Sequence, residues 1–343
     1  MMKIPKGHLV ALLNELSYLS DSIEVQSPLT GHLFTIEFGE KCKVIPVKKN
    51  IFLGERRDFI DTKNGVRIED EVPDFNDLVT CFYSSALILS PDHQDIVNVI
   101  KEGINRELLM GKRPVFIGYD TNSLRHRMNR VVERIISSID RQGHQKIGYC
   151  MSDVIKKELQ YQWDKKYGDL EQLRMLWNNT FSRSFLNQPP LDARMAMIGA
   201  VEYMHVIANP NCEEVYSQGR GDTAIIESYS KYEKFHAVDM LLLSGDNNFT
   251  TMAHQDRIDA LYLRPARHLP DEIETDWIQL IELLYCTAVI FGVISVDDVH
   301  IFGIWSGKNG VDWNRYNLKI DPGYGNYPQK MLDDIRILER MLS

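Results

Sequence analysis

Four short apolar runs between residues 113 and 265 constrain what this chain can fold into more than any other feature. PVFIGYD (114–120), IGYCM (147–151), VDMLLLSGD (238–246) and IDALYLRP (258–265) have strand length and are rich in aliphatic, β-branched and aromatic residues. Polar residues follow each of the first three, and then a stretch with helical spacing. Strands separated by helices pair in parallel, with the helices packed on the faces of the sheet. The expected fold class is therefore α/β, a parallel sheet flanked by helices.

The flanks have a different texture. Leu9, Leu12, Leu13, Leu16 and Leu19 recur at helical spacing, and Gly31 to Lys49 alternates (HLFTIEF, CKVIPVKK) in the manner of a hairpin. Residues 54–76 are charged and carry the turn pair Asn64-Gly65, which reads as short strands or loops. A helix opening at Pro91-Asp92 is stopped by Gly111. Residues 1–110 are thus expected to form a small α+β domain with no chemical motif. The α/β domain is expected over 111–295, with a helical insertion at about 160–218. Residues 296–343 are expected to add a hairpin turning at Asn309-Gly310, flanked by Trp305 and Trp313, and a closing helix over 328–342.

Composition enters by what it excludes. The 343 residues include 39 Lys and Arg against 48 Asp and Glu, a net charge of −9, so no basic field covers the whole chain. Five cysteines (Cys42, Cys81, Cys150, Cys212 and Cys286) include no C-x-x-C pair, which argues against a disulfide framework or a zinc–thiolate site. Residues 1–22 lack the long apolar core and cleavage site of a signal peptide. The longest apolar run, Leu283 to Val296, has 14 residues interrupted by Thr287 and Gly292, too few to span a bilayer. A cytoplasmic protein that does not engage membranes is expected. Nucleophile-elbow, Walker-lysine and dinucleotide glycine motifs are absent from the sequence.

Four acidic residues share one kind of position. Asp120 ends the run VFIGY, and Asp246 follows DMLLL after Ser244-Gly245. Asp222 stands at the glycine-rich start of a helix, and Glu158 lies about one and a half turns into another. In an open parallel sheet the crevice outside the C-terminal strand ends is where ligands bind. Each acid alone has an ordinary explanation, as an N-cap, a turn residue or an exposed helix face. Together, in this order on this alternation, they point to one site. Clustered carboxylates raise one another's pKa unless a cation neutralises them, and all-oxygen ligation suits Mg²⁺ or Mn²⁺.

With these residues in view, DTN at 120–122, the helical Glu158, GDTAII at 221–226 and SGDNNF at 244–249 resemble the PIN domain nucleases. That family carries a strand-ending Asp in a D-T-N-like motif, a helical Glu, an Asp at a helix start and a T/S-x-D-x-x-F motif. The resemblance covers roughly 113–270, with 271–295 supplying a last core helix. It implies a parallel sheet sandwiched by helices and metal-dependent cleavage of phosphodiesters, leaving a 5′-phosphate and a 3′-hydroxyl. Asp120, Glu158, Asp222 and Asp246 are then the metal-binding and catalytic acids, with Mg²⁺ or Mn²⁺ as cofactor. Asn122 and Ser244 fall where the family keeps small polar residues beside the acids. RNA is favoured over DNA because the resembled family favours it.

An acidic chain needs a local means of holding nucleic acid. From Gly111 to Ile147 it carries eight Lys and Arg (112, 113, 125, 127, 130, 134, 141 and 146) against three acids. Arg127, Arg130 and Arg134 recur at three- and four-residue spacing and share one face of the helix expected after Asp120. Phosphate contacts are therefore expected from Arg125, Arg127 and Arg130, and from Arg220 before Asp222. His236, His254 and His268 form no H-x-x-x-H pair and read as surface residues. The expected function is a metal-dependent ribonuclease. Its alternatives are a structure-specific or defence-type DNase and a non-catalytic scaffold that binds RNA or a protein. A homodimer or a protein partner is expected through the N-terminal domain.

Overall fold

The computed structural model describes residues 2–61, 68–140, 142, 146–163, 189–303, 315–321, 330, 333–337 and 340. The turn at Asn64-Gly65, residues 164–188 of the expected insertion, and the tail hairpin with Trp305 and Trp313 lie outside the described residues. So does most of the expected closing helix. Two compact units are present, one from Met1–Leu87, Lys166–Arg194 and Arg267–Ser343, the other from Ile88–Lys165 and Met195–Ala266.

In chain order the strands of the first part are β1 (Met2–Pro5), β2 (Ser22–Ser27), β3 (Gly31–Glu37), β4 (Cys42–Pro46), β5 (Val115–Tyr119) and β6 (Ile147–Ser152). They continue with β7 (Cys212–Val215), β8 (Asp239–Ser244), β9 (Asp259–Tyr262), β10 (Ile273–Thr275), β11 (Val293–Val296), β12 (Val299–Phe302) and β13 (Asn317–Asp321).

The second unit is built on a five-stranded sheet in the order β7-β6-β5-β8-β9, every pair parallel. The two faces can be followed from the alternation of side chains along β5. Val115, Ile117 and Tyr119 share a face with Ile147 and Tyr149, and a side chain at Gly103, in the helix His93–Ile104, would press on Val115 and Ile147. Phe116 and Gly118 face the other way, towards the helix Gly221–His236, whose Tyr232 ring lies 5.5 Å from that of Phe116. Helices therefore cover both faces, which is why β6 is buried at all six positions. The expectation of an α/β fold with a helix-flanked parallel sheet holds.

Gly118 is needed for this packing. A Cβ there would come within 2.7 Å of Leu242 and 3.1 Å of the Tyr229 ring. In that space the Tyr229 hydroxyl donates to the Tyr119 carbonyl at 2.8 Å and accepts from the Ser152 amide at 3.3 Å. One phenol thus pins the carboxyl ends of β5 and β6 together.

The other unit holds an antiparallel sheet in the order β1-β13-β12-β11-β2-β3-β4-β10. β2 alternates exposed and buried along its length, as a sheet with one wet face does. Against the sheet packs the helix Trp277–Phe291, which is buried from Leu283 to Phe291 and capped by Asp276, whose carboxylate accepts the Gln279 amide at 2.8 Å.

Several expected boundaries move. The helix His93–Ile104 belongs to the parallel-sheet unit rather than to a domain over 1–110, and residues 267–295 belong to the antiparallel one. N- and C-terminal strands share a single sheet, since β1 pairs with β13 and β2 with β11. Strand partners distant in sequence decide this, and hydrophobic period carries no information about them. The charged stretch after Lys49 is a helix (Lys49–Asp61) that buries only Phe52, so its apolar signal is slight. β7 was masked by its two glutamates; it sits at a sheet edge, where one flank needs no apolar cover.

Candidate active site

Strand order reverses at β5. The chain steps from β5 outward to β6 and β7, then returns to the far side of β5 for β8 and β9. Such a switch point leaves a crevice outside the carboxyl ends of the two central strands. Asp120 directly follows β5, and Ser244-Gly245-Asp246 closes β8, so the two strand-end acids flank the crevice.

Local structure sets each side chain. Asp120 is 3 % exposed and caps the helix Thr121–Arg125, its Oδ1 accepting the Ser123 amide at 2.6 Å. Its Oδ2 accepts the Ser244 hydroxyl at 2.6 Å, and the same Ser244 oxygen accepts the Asp246 amide at 2.9 Å. Asp246 in turn caps the helix Asn247–Gln255 through the Asn248 amide at 2.7 Å. The capping explanation is thus correct for Asp120, and Asp246, read as a turn residue, is a cap as well; neither excludes a functional role. Asp222 lies in the first turn of the helix Gly221–His236 but is not its cap, since that position is Arg220. Glu158, in the helix Asp153–Trp163, accepts hydrogen bonds from the Thr121 hydroxyl and the Gly221 amide. Gly221 takes the left-handed backbone (φ +74°) that a glycine adopts without strain.

The acids act on one another. Burial pushes the Asp120 carboxyl up, its bonds to Ser123 and Ser244 pull it partly back, and the charge of Asp222 raises it further. Glu158 is raised by burial first and by Asp222 as well. Asp222 itself is raised by desolvation and then by Asp246. Asp222 is therefore the hub through which all four couple. Among the described residues no Lys or Arg pairs with any of them.

An all-oxygen set carrying uncompensated negative charge is what a hard divalent cation requires, so the residues fit Mg²⁺ or Mn²⁺. Among the described residues no three His, Cys, Asp or Glu already stand at closed ligating distance.

The expected substrate contacts divide. Arg220 is exposed beside Glu158, and Asn122 and Arg125 are half-buried, with Arg125 Nη1 donating to Asn122 Oδ1 at 3.4 Å. Ser244 is 0 % exposed and serves as the brace between Asp120 and Asp246, so it does not face a substrate. Arg127 and Arg130 do not form a basic face. The helix breaks at Arg127, whose backbone is left-handed (φ 57°), and its side chain is 1 % exposed, with Nε donating to Glu202 Oε1 at 2.8 Å. Arg130 Nε donates to Glu202 Oε2 at 2.8 Å and Nη1 to Glu133 at 3.2 Å.

Two residues that sequence reasoning passed over matter here. Thr121, the middle of the DTN run, orients Glu158; its place directly after Asp120 was the available signal. Tyr229 pins the strand ends, and nothing in its sequence surroundings marked it. No helix among the described residues is long and apolar enough to cross a membrane. No family model matches this chain, and no curated protein matches it.

Proposed function

We propose that this protein is a divalent-metal-dependent nuclease of PIN-like type, acting on RNA. One observation carries the reading: four carboxylates coupled through Asp222 lie around the switch point of a parallel sheet, and among the described residues no Lys or Arg pairs with them. Charge arranged at such a loss in stability points to a partner supplied from outside.

Asp120 and Asp246 stand on the two central strand ends, held to each other through Ser244. That brace keeps Asp120 deprotonated more readily than burial alone would allow and fixes where its free lone pairs point. Thr121 and the Gly221 amide hold Glu158 in the same way. These oxygens would hold a divalent ion, which would supply Lewis-acid polarisation of the scissile phosphate and a lowered pKa for the attacking water. Asp222 raises the proton affinity of its neighbours, so cation binding and proton release are linked.

The test is cleavage of end-labelled single-stranded RNA and DNA by the whole chain in Mn²⁺, Mg²⁺ or EDTA, beside Asp120→Asn. Metal-dependent cutting of RNA that the variant loses supports the reading, and cutting of DNA alone moves it to the deoxyribonuclease alternative. No cutting, together with no Mn²⁺-dependent rise in Tm, overturns it.

A further inference from the structure

Beside Glu158, between the helix Asp153–Trp163 and the turn at Gln218–Arg220, lies a cleft of about 540 Å³ that the acid cluster does not fill. Its size falls in the range of small-ligand sites, roughly 300–1,000 Å³. Its walls are built. Asp153 Oδ1 accepts the Ser217 amide at 2.9 Å, while Lys157 Nζ donates to the Ser217 carbonyl at 3.1 Å and pairs with Asp153 at 2.5 Å. The turn is closed by Ser217 Oγ, which accepts the Gly219 amide at 3.2 Å, and by Gly219 packed so tightly on Ala224 that a Cβ would come within 2.6 Å. The loop after β7 is thereby fixed to the first turns of the Glu158 helix.

The lining combines three kinds of group. Glu158, which Asp222 influences electrostatically, is one of them. Tyr161, three residues on and therefore on the same helix face, is 70 % exposed. Arg220, across the cleft, is exposed and has no acidic partner among the described residues. A flat ring across from a guanidinium, with Lys157 already paired to Asp153, matches the alternation of base and phosphate along a single strand, where each base offers a face for stacking. A duplex buries those faces against its own neighbours.

We propose that this cleft takes one unstacked base of single-stranded RNA, with Tyr161 against the face of the base and Arg220 on the adjoining phosphate. Rested on the nuclease reading, it makes Tyr161 a positioning residue that feeds the strand to the acids. It also selects single-stranded over duplex substrate.

Binding separates this inference from cleavage. The probe is a fluorescein-labelled oligouridylate, followed by anisotropy with the whole chain in EDTA at low salt, beside an abasic strand of the same length. Tyr161→Ala should weaken oligouridylate binding about tenfold, and Tyr161→Phe should hold it within about twofold. Neither should alter binding of the abasic strand. Arg220→Ala should weaken both probes and lower the salt dependence by about one phosphate contact. Equal binding by Tyr161→Ala and the wild type overturns the proposal, as does an equal loss on both probes or no binding by the wild type. A chain that binds as described but neither cuts nor gains Tm in Mn²⁺ keeps this inference and loses the nuclease reading. One that cuts but ignores Tyr161 loses the inference alone.

Discussion

Two groups of carboxylates lie in the parallel-sheet unit, and they are handled in opposite ways. Glu202 is 0 % exposed; burial alone would push its pKa up, yet Arg127 and Arg130, with a hydrogen bond from Asn129, hold it down to about 2. Asp120, Glu158 and Asp222 are raised instead, by burial first and then by a neighbouring carboxylate. Glu202 is neutralised from within, by cations 72 to 75 residues away in sequence. Asp120, Glu158, Asp222 and Asp246 are left repelling. A buried ion pair completed by the chain belongs to the fold, whereas a charge left incomplete is a candidate for chemistry.

Paired substitutions sharpen this contrast. Glu202→Gln should cost about 3–5 kcal/mol, because it leaves the buried Arg127 charge without its counterion and turns an amide NH₂ towards other donors. Urea denaturation reads the loss, and a midpoint unchanged from wild type would remove Glu202 from the stability side. Glu158→Gln should do the reverse, lowering metal-dependent cleavage about a hundredfold or more while leaving the Tm the same or higher. If it unfolds the protein, the two glutamates are not different in kind.

A smaller effect is expected from Tyr229→Phe. It removes one hydrogen bond to the Tyr119 carbonyl and one from the Ser152 amide, costing about 1–3 kcal/mol in chemical denaturation. Because the phenol pins the strands that carry Asp120 and lead to Glu158, cleavage should fall more than stability explains. Activity that tracks the folded fraction alone would make Tyr229 a packing residue only.

The least effect concerns pH. Folded Asp120, Glu158 and Asp222 hold protons more tightly than the unfolded chain does, so the native state binds more protons above the ordinary carboxylate pKa of about 4. Their contribution to stability is full below that value and is lost as pH rises through the raised pKa values. In EDTA, Asp222→Asn should therefore raise the Tm by about 1–2 °C at pH 8 and by nothing at pH 4. Thermal scans at both pH values check the sign, and a gain at pH 4 that equals the gain at pH 8 would refute the coupling.

Legibility in the sequence followed the distance over which each feature is decided. VFIGY and DMLLL read as buried strands because both faces of a parallel sheet are apolar, and the aspartates after them stood out for that reason. Arg127 was misread. The spacing of Arg127, Arg130 and Arg134 predicts one helical face, but the backbone turns left-handed at Arg127 and Glu202 draws the side chain inside. Ser244 had the right neighbourhood and the wrong direction, since only the approach of β5 to β8 turns its hydroxyl to Asp120. The division of the chain into units escaped as well, because β1 and β13 meet from opposite ends of it.

By itself the sequence determined what is local: strands that must be covered on both faces, helices between them, and an acid at each of two strand ends. Only the tertiary structure decided that β8 returns to lie against β5, which brings Asp246 to Asp120 and makes the hydrogen-bonded brace through Ser244. Hydrophobic period states which face of an element is dry, and turn chemistry states where it stops. Neither states which strand becomes the neighbour of which, because that choice rests on pairing and packing summed over the whole sheet.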